Sequence, residues 1–556
     1  MSRTRFATPA LLLGVAALAI GVAGMAQAPV SSAPSYDIVV RGGRVLDGMG
    51  NPWIRADVAI DDGRFAAIGR VEGRGRREID ASGRYVSPGW IDMMDQSGSV
   101  LPTSGLAENK LRMGVTTAIA GEGGTPVPAE QVADYFAGLE RTGISINFGS
   151  YFSEAQARTA VLGNTARAPS SDELRRMQAI LETAMRAGAM GMTTALIYPP
   201  GSFAKTEELV EMAKVAARYG GTYASHIRDE GTGLLAAIDE AIAIGERAGL
   251  PAEIFHLKVA HKSGWGTRMA EAGRAIEAAR ARGVDVAADM YVYTAGGTGL
   301  EATIPSWAQE GGRGALLQRL ANSEMRARLK HEIESGVPGW SNLVEAAGGW
   351  GGVVLSNAQN PENARFEGQS LEAIGKAWGK DPADAAFDLV AQGHGRVMAI
   401  FHMMSEPDLE TALRFPWTSI GSDAGAAATE GGQDPTGLTH PRAYGNFPRV
   451  LARYVRERRV LTLEDAIRKM TSWPAARMRL QGRGAIREGG WADVVVFDAA
   501  TIEDLATYEA PTRSPRGIDY VLVNGQIVID HGRHTGARPG RVLHGPGRGM
   551  LQSATP

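Results

Sequence analysis

The chain has 556 residues, 58 basic against 61 acidic side chains for a formal net charge of −3, 71 glycines and no cysteine. That length accommodates a large barrel with a small companion domain, and the near-neutral balance with dispersed Lys and Arg argues against nucleic acid as the main partner. The missing cysteine excludes disulfides, thiolate metal ligands, a cysteine nucleophile and a lipidated N-terminal cysteine, so the expected partner is a small molecule handled by histidines and carboxylates.

Residues 1–28 have the pattern of a secretory signal peptide: Arg3 and Arg5, an apolar stretch from about Pro9 to Val22, then the small-residue run Ala23-Gly24-Met25-Ala26-Gln27-Ala28. Pro29 after Ala28 leaves cleavage after Ala26 as an alternative, and the apolar run is long enough to leave an uncleaved anchor open. Export to the periplasm or beyond is the expectation, with no stable membrane span after processing. Residues 29–84 read as the first half of a small β-sandwich domain. Tyr36 to Asp47 alternates about Gly42-Gly43 as a hairpin does, and Ala56 to Ile68 repeats the pattern around Asp61-Asp62-Gly63.

From 85 to 475 strand candidates alternate with helical segments. They are Tyr85 to Met94, Thr117 to Glu122, Ile144 to Phe152, Met190 to Tyr198, Thr222 to His226, Ala252 to Lys258, Val284 to Tyr293 and Thr418 to Asp423. The segment Leu234 to Ala248 has apolar residues at helical spacing with Asp239, Glu240, Glu246 and Arg247 on the other face. This alternation predicts an α/β protein with a TIM-type (β/α)8 barrel. The stretch 296–416 is too long for a crossover and carries helical runs at Gly314 to Glu334 and Ser370 to Gln392, so it reads as an inserted subdomain covering the cavity. Within it, Gly296-Gly297-Thr298-Gly299 reads as loop flexibility. Residues 476–536 supply the second half of the β-sandwich, with a strand at Ala492 to Asp498 and a hairpin from Tyr520 to Ile529 about Asn524-Gly525. The Gly-, Pro- and Arg-rich residues 537–556 read as a loosely held tail.

The first histidine of the chain is His226, and His256 follows thirty residues later, one strand-helix-strand unit away. Residues at the C-terminal ends of barrel strands face the active site, and there this sequence offers Glu122, His226, His256 and Asp423. Two neutral imidazoles on neighbouring strands suit a divalent zinc-type ion, given a third ligand and an open position. The Gly-x-Ser-x-Gly nucleophile pattern does not occur.

The motifs Ser225-His226-Ile227-Arg228-Asp229-Glu230, His256-Leu257-Lys258, Tyr291-Val292-Tyr293-Thr294-Ala295, Gly421-Ser422-Asp423 and His440-Pro441-Arg442-Ala443-Tyr444-Gly445 resemble those of the amidohydrolase superfamily, in its N-acyl-D-amino-acid deacylase (D-aminoacylase) group. The likeness runs from about Tyr36 to Gly532. It implies a metal-activated water attacking an amide carbonyl, His226 and His256 as metal ligands, and Asp423 as the shuttle that takes the water's proton and delivers it to the leaving amine. For the substrate's carboxylate it points to Lys258, Tyr291 and either Arg228 or Arg442, with a structural ion pair, for instance with Asp229 or Glu230, as the alternative role for both arginines. Tyr198 is a candidate for the pocket wall.

Two positions depart from the family pattern. Met94 and Gln96 stand where the first strand normally carries His-x-His, and a thioether and a neutral amide are poor ligands for such a dication, so a single metal, one Zn2+, is expected. Gly123 stands at the position of the family's bridging cysteine. Its neighbour Glu122 then becomes the third ligand, or else hydrogen-bonds loop amides, while Gln96 is left to orient a water or a carbonyl. The expected reaction is hydrolysis of a linear amide of an N-acyl-D-amino acid or a related peptide-like compound. A dipeptidase- or hydantoinase-like activity and a catalytically inactive, ligand-binding barrel are the alternatives, and the oligomeric state is left open.

Overall fold

The computed structural model describes residues 35–427 and 438–550. The leader expected at 1–28 lies outside the described residues. Eight parallel strands close a barrel: Trp90–Asp95, Val115–Ala120, Asn147–Ser150 continuing as Phe152–Ser153, Gly191–Ala195, Thr222–His226, Ala252–Ile254, Val286–Met290 and Thr418–Ile420. The ring is sealed by a parallel bridge between Asp95 and Ala424. Nearly every residue of these strands is buried, as expected when side chains fill the interior and helices cover the exterior. The predicted helix Leu234–Ala248 forms between those bounds, burying Leu234, Ile238, Ala241 and Ile242 against the barrel.

The two chain ends meet in one β domain. Eight of its nine strands follow one path of hydrogen bonds and the ninth, Arg74–Asp80, pairs parallel with Ser35–Val45 off that path; Tyr85–Pro88 pairs antiparallel to Val494–Phe497 and so joins the N- and C-terminal portions. Val40, Val58, Ile60, Val86, Val494 and Leu522 make its core. The hairpins expected about Asp61-Asp62-Gly63 and Asn524-Gly525 form there.

Four expectations are corrected. Tyr36 to Asp47 is not a hairpin but a single strand, Ser35–Val45, whose register shifts between Val40 and Gly43. Gly42 takes φ +65° and its N–H donates to Asp57 Oδ1 at 2.8 Å, so the Gly-Gly pair makes a bulge against the next strand instead of a turn. The barrel begins at Trp90 and not at Tyr85, because Tyr85–Pro88 belongs to the β domain. Gly296–Gly299 is a strand, paired antiparallel with Met398–Phe401 in the three-stranded sheet of the inserted subdomain. Finally, residues 537–549 are docked and not loose. Val542 bridges to Phe148 on the third barrel strand, and backbone bonds join Gly540 to Ile144, Leu543 to Phe148 and Gly545 to Gly188. Each glycine here allows close backbone approach; a Cβ on Gly540 would lie 2.1 Å from the Ile146 carbonyl oxygen. Among the described residues no helix is long and apolar enough to cross a membrane.

Candidate active site

Strand ends of the barrel and the inserted subdomain enclose a cavity of about 630 Å³ that receives Glu122, His226, His256 and Asp423 together. Glu122 follows the second strand by two residues. Gly121, at φ +110°, turns the chain there, and a Cβ on it would lie 2.8 Å from the Tyr151 backbone nitrogen and oxygen. His226 ends the fifth strand. His256 lies two residues beyond the sixth strand at φ +36°, its N–H donating to Asp289 Oδ1 at 2.8 Å. Asp423 sits past the eighth strand at φ +50°, its N–H bonded to the Met94 carbonyl at 2.8 Å. Two functional residues thus occupy the left-handed region that L-residues avoid, a strain that persists only where surrounding contacts impose it.

His226 Nδ1 and His256 Nε2 both converge on Glu122 Oε1, at 2.9 and 3.3 Å. The three donor atoms lie within 4.8 Å of one another, making a nitrogen-nitrogen-oxygen set that fits a catalytic zinc-type ion and leaves coordination positions for water or substrate. Burial pushes the Glu122 carboxyl upward, but hydrogen bonds from the two imidazoles outweigh it and hold the group well below its ordinary range. His256 is opposed by burial and by Lys258, yet Glu230 and Glu122 raise it to about 9. The pocket is therefore built to stabilise positive charge between these side chains.

Glu230, four residues after His226 in the sequence, lies behind both rings. Its Oε1 is 3.0 Å from His256 Nδ1 and its Oε2 is 3.7 Å from His226 Nε2. Nδ1 of His256 thus faces Glu230 and Lys258, while its Nε2 points at Glu122, the side on which a metal ligand would act. Sequence reasoning placed Glu230 only as a possible ion-pair partner of an arginine. Its spacing of four residues from His226, and that of Lys258 two residues from His256, was the available signal.

The remaining candidates divide. Gln96 donates to Glu122 Oε2 at 2.7 Å and to Asp423 Oδ1 at 3.4 Å, bridging the two carboxylates. The Tyr198 ring stands 5.3 Å from the His226 ring, and its hydroxyl meets Thr298 Oγ1 at 2.7 Å, making it the pocket wall that was expected. Arg442 places Nη1 2.8 Å from Asp423 Oδ2, donates through Nη2 to the Gly297 carbonyl and stacks 4.6 Å over the Tyr291 ring. Lys258 lines the cavity, but its ammonium is engaged by Glu230 and His256 Nδ1. Arg228 is a correction: it is absent from the cavity wall, pairing with both oxygens of Glu240 at 2.8 and 2.9 Å and donating to the Ser202 and Ala204 carbonyls. It is a structural ion pair, with a partner twelve residues on and not its neighbours Asp229 or Glu230. Residues of the insertion that line the cavity, Thr298 and Arg396 among them, were not singled out from sequence.

A barrel with a strand-end imidazole pair, a carboxylate against both rings and a facing aspartate is the arrangement of a metal-dependent hydrolase. The amidohydrolase family matches residues 379–529. The chain is 36% identical over 528 residues to an N-acyl-D-glutamate deacylase of Alcaligenes xylosoxydans xylosoxydans, an alignment covering 91% of this chain and 96% of that protein. It is 33% identical to a D-aminoacylase of the same organism, over 92% and 98% of the two chains. Among solved structures, the N-acyl-D-glutamate deacylase of Bordetella bronchiseptica, complexed with zinc and a phosphonate inhibitor that mimics the tetrahedral intermediate, superimposes with a TM-score of 0.77 at 32% identity, covering 92% of this chain and all of that one. The chain belongs to the amidohydrolase family, in its D-aminoacylase-like group.

Proposed function

We propose that the protein hydrolyses the linear amide bond of N-acyl-D-amino acids with one bound zinc-type ion, after export from the cytoplasm. The observation that carries this reading is the convergence of His226 Nδ1, His256 Nε2 and the Glu122 carboxylate in the cavity that also holds Asp423. When bound, the metal supplies Lewis acidity that polarises the carbonyl and acidifies a water. Asp423 receives the water's proton and passes it to the departing amine nitrogen. Gln96 fixes Glu122 and Asp423 relative to each other through its amide NH2. The substrate's carboxylate is taken by Arg442, whose guanidinium already faces the cavity over Tyr291, while Lys258 holds Glu230 behind the imidazoles. The basic start and apolar run before Ala28 support export, which fractionation of cells expressing the full chain tests directly.

The test of the activity is an assay of zinc-loaded protein against N-acyl-D-amino acids, their L-enantiomers, dipeptides and cyclic amides. Turnover confined to the N-acyl-D-amino acids is the expected result; preference for a dipeptide or a cyclic amide would replace this substrate assignment. Asp423→Asn is expected to retain zinc while losing about 10²–10⁴-fold in kcat, the usual contribution of a positioned acid-base group.

A further inference from the structure

Beneath the cavity floor lies a charged cluster that no step of the reaction uses. Lys110 comes from the short helix Glu108–Arg112, and its side chain is 0% exposed, as are those of Asp92 and Asp95. Its ammonium lies 2.9 Å from Asp92 Oδ2, 2.7 Å from Asp95 Oδ2 and 2.8 Å from Ser422 Oγ, and it also donates to the Ala424 carbonyl. Burial opposes the charge, but Asp92 and Asp95 outweigh it and keep the ammonium protonated. Asp92 in turn accepts the Ser422 N–H at 2.8 Å and its hydroxyl at 2.6 Å.

Ser422 and Ala424 are the two residues that flank Asp423. The contacts therefore grip the chain on both sides of a residue whose own φ is +50°. An L-residue in that region is strained and relaxes unless its neighbours are held. Asp423 needs this conformation to direct its carboxylate toward Gln96 and Arg442 in the cavity. The same contacts join the first barrel strand to the eighth at the seam where Asp95 bridges Ala424.

We propose that Lys110 is a positioning residue for catalysis: its buried ammonium, clamping Ser422 and Ala424 to Asp92 and Asp95, fixes the direction from which Asp423 moves the proton. This rests on the reading of Asp423 as the shuttle. Small displacements of a reacting group lower rates steeply, on the order of 10²-fold for about 1 Å, while leaving binding contacts made elsewhere in place. The proposal thus predicts a loss in kcat separate from KM and from metal content.

Two variants test it in the zinc-loaded protein. Ser422→Ala removes one ammonium contact, one Asp92 contact and the hydroxyl's two bonds with the Ala424 backbone without deleting a charge, and Lys110→Met removes the ammonium from the clamp. Expected are kcat losses of about tenfold for Ser422→Ala and about a hundredfold for Lys110→Met, with KM and bound zinc per chain unchanged. If Lys110→Met does not fold, Ser422→Ala decides alone. Unchanged kcat in Ser422→Ala, or a kcat loss that comes with a raised KM and lost zinc, overturns the proposal. Asp423→Asn measured alongside separates the two readings: full activity in that variant refutes the shuttle role, whereas an inactive Asp423→Asn beside a fully active Ser422→Ala refutes only the positioning role.

Discussion

Glu122 adjoins Gly123, which stands at the family's cysteine position, and its chemistry bears on that departure. A carboxylate two residues past the second strand reaches both imidazole nitrogens, which sets an oxygen donor beside them in a chain without cysteine. Glu122→Gln keeps the size but removes the charge. Zinc affinity measured by competition with a chelator is expected to fall about 10–100-fold, and an unchanged affinity would remove Glu122 from the ligand set. Arg228 makes the opposite case. Its guanidinium closes on Glu240 and two carbonyls away from the cavity, so Arg228→Ala is expected to lower stability by about 1.5–3 kcal/mol in denaturant titration while leaving KM unaltered.

The turn between the second strand and Glu122 depends on a glycine for reasons of space as well as conformation. Gly121 has φ +110°, and any Cβ would press on the Tyr151 backbone. Gly121→Ala should therefore both destabilise the fold, by about 1–3 kcal/mol, and weaken zinc binding, because the strain falls directly before the ligand. A variant with wild-type zinc affinity would show that the turn does not set Glu122. The strands themselves were legible from their runs of buried-type residues, and Leu234–Ala248 from its 3.6-residue period, since both signals are local. The Gly-Gly of the first strand and Gly296–Gly299 were misread for one reason. Glycine announces conformational freedom but not the partner that uses it, which was Asp57 in one case and Met398–Phe401 in the other.

The segment 537–549 packs along residues 144–148 and 188–190 and so braces the lower end of the third and fourth strands. Deleting residues 537–556 is expected to lower the melting temperature without altering zinc content. Within the segment, His544 sits edge-on to Phe136, and burial together with Arg548 lowers its pKa to about 4. Because that value lies below the ordinary 6.5, the unfolded chain binds a proton more readily. The stabilisation is complete above about pH 6.5 and is lost as pH falls toward 4. Melting curves over this window should show the decline, and His544→Gln should flatten it; an identical slope in both proteins would place the effect elsewhere. The amino-acid order was sufficient to announce an α/β barrel, a β domain shared by the two ends, and the pair His226 and His256 with Asp423, because strand period, turn residues and strand-end placement are properties of short stretches. It was not sufficient to choose Glu240 for Arg228, to put Glu230 behind both imidazoles, to bury Lys110 between Asp92 and Asp95, or to dock the tail. Those outcomes depend on which charges and backbone edges meet across hundreds of residues once water is excluded, and desolvation makes each such pairing obligatory in a way that sequence distance does not reveal.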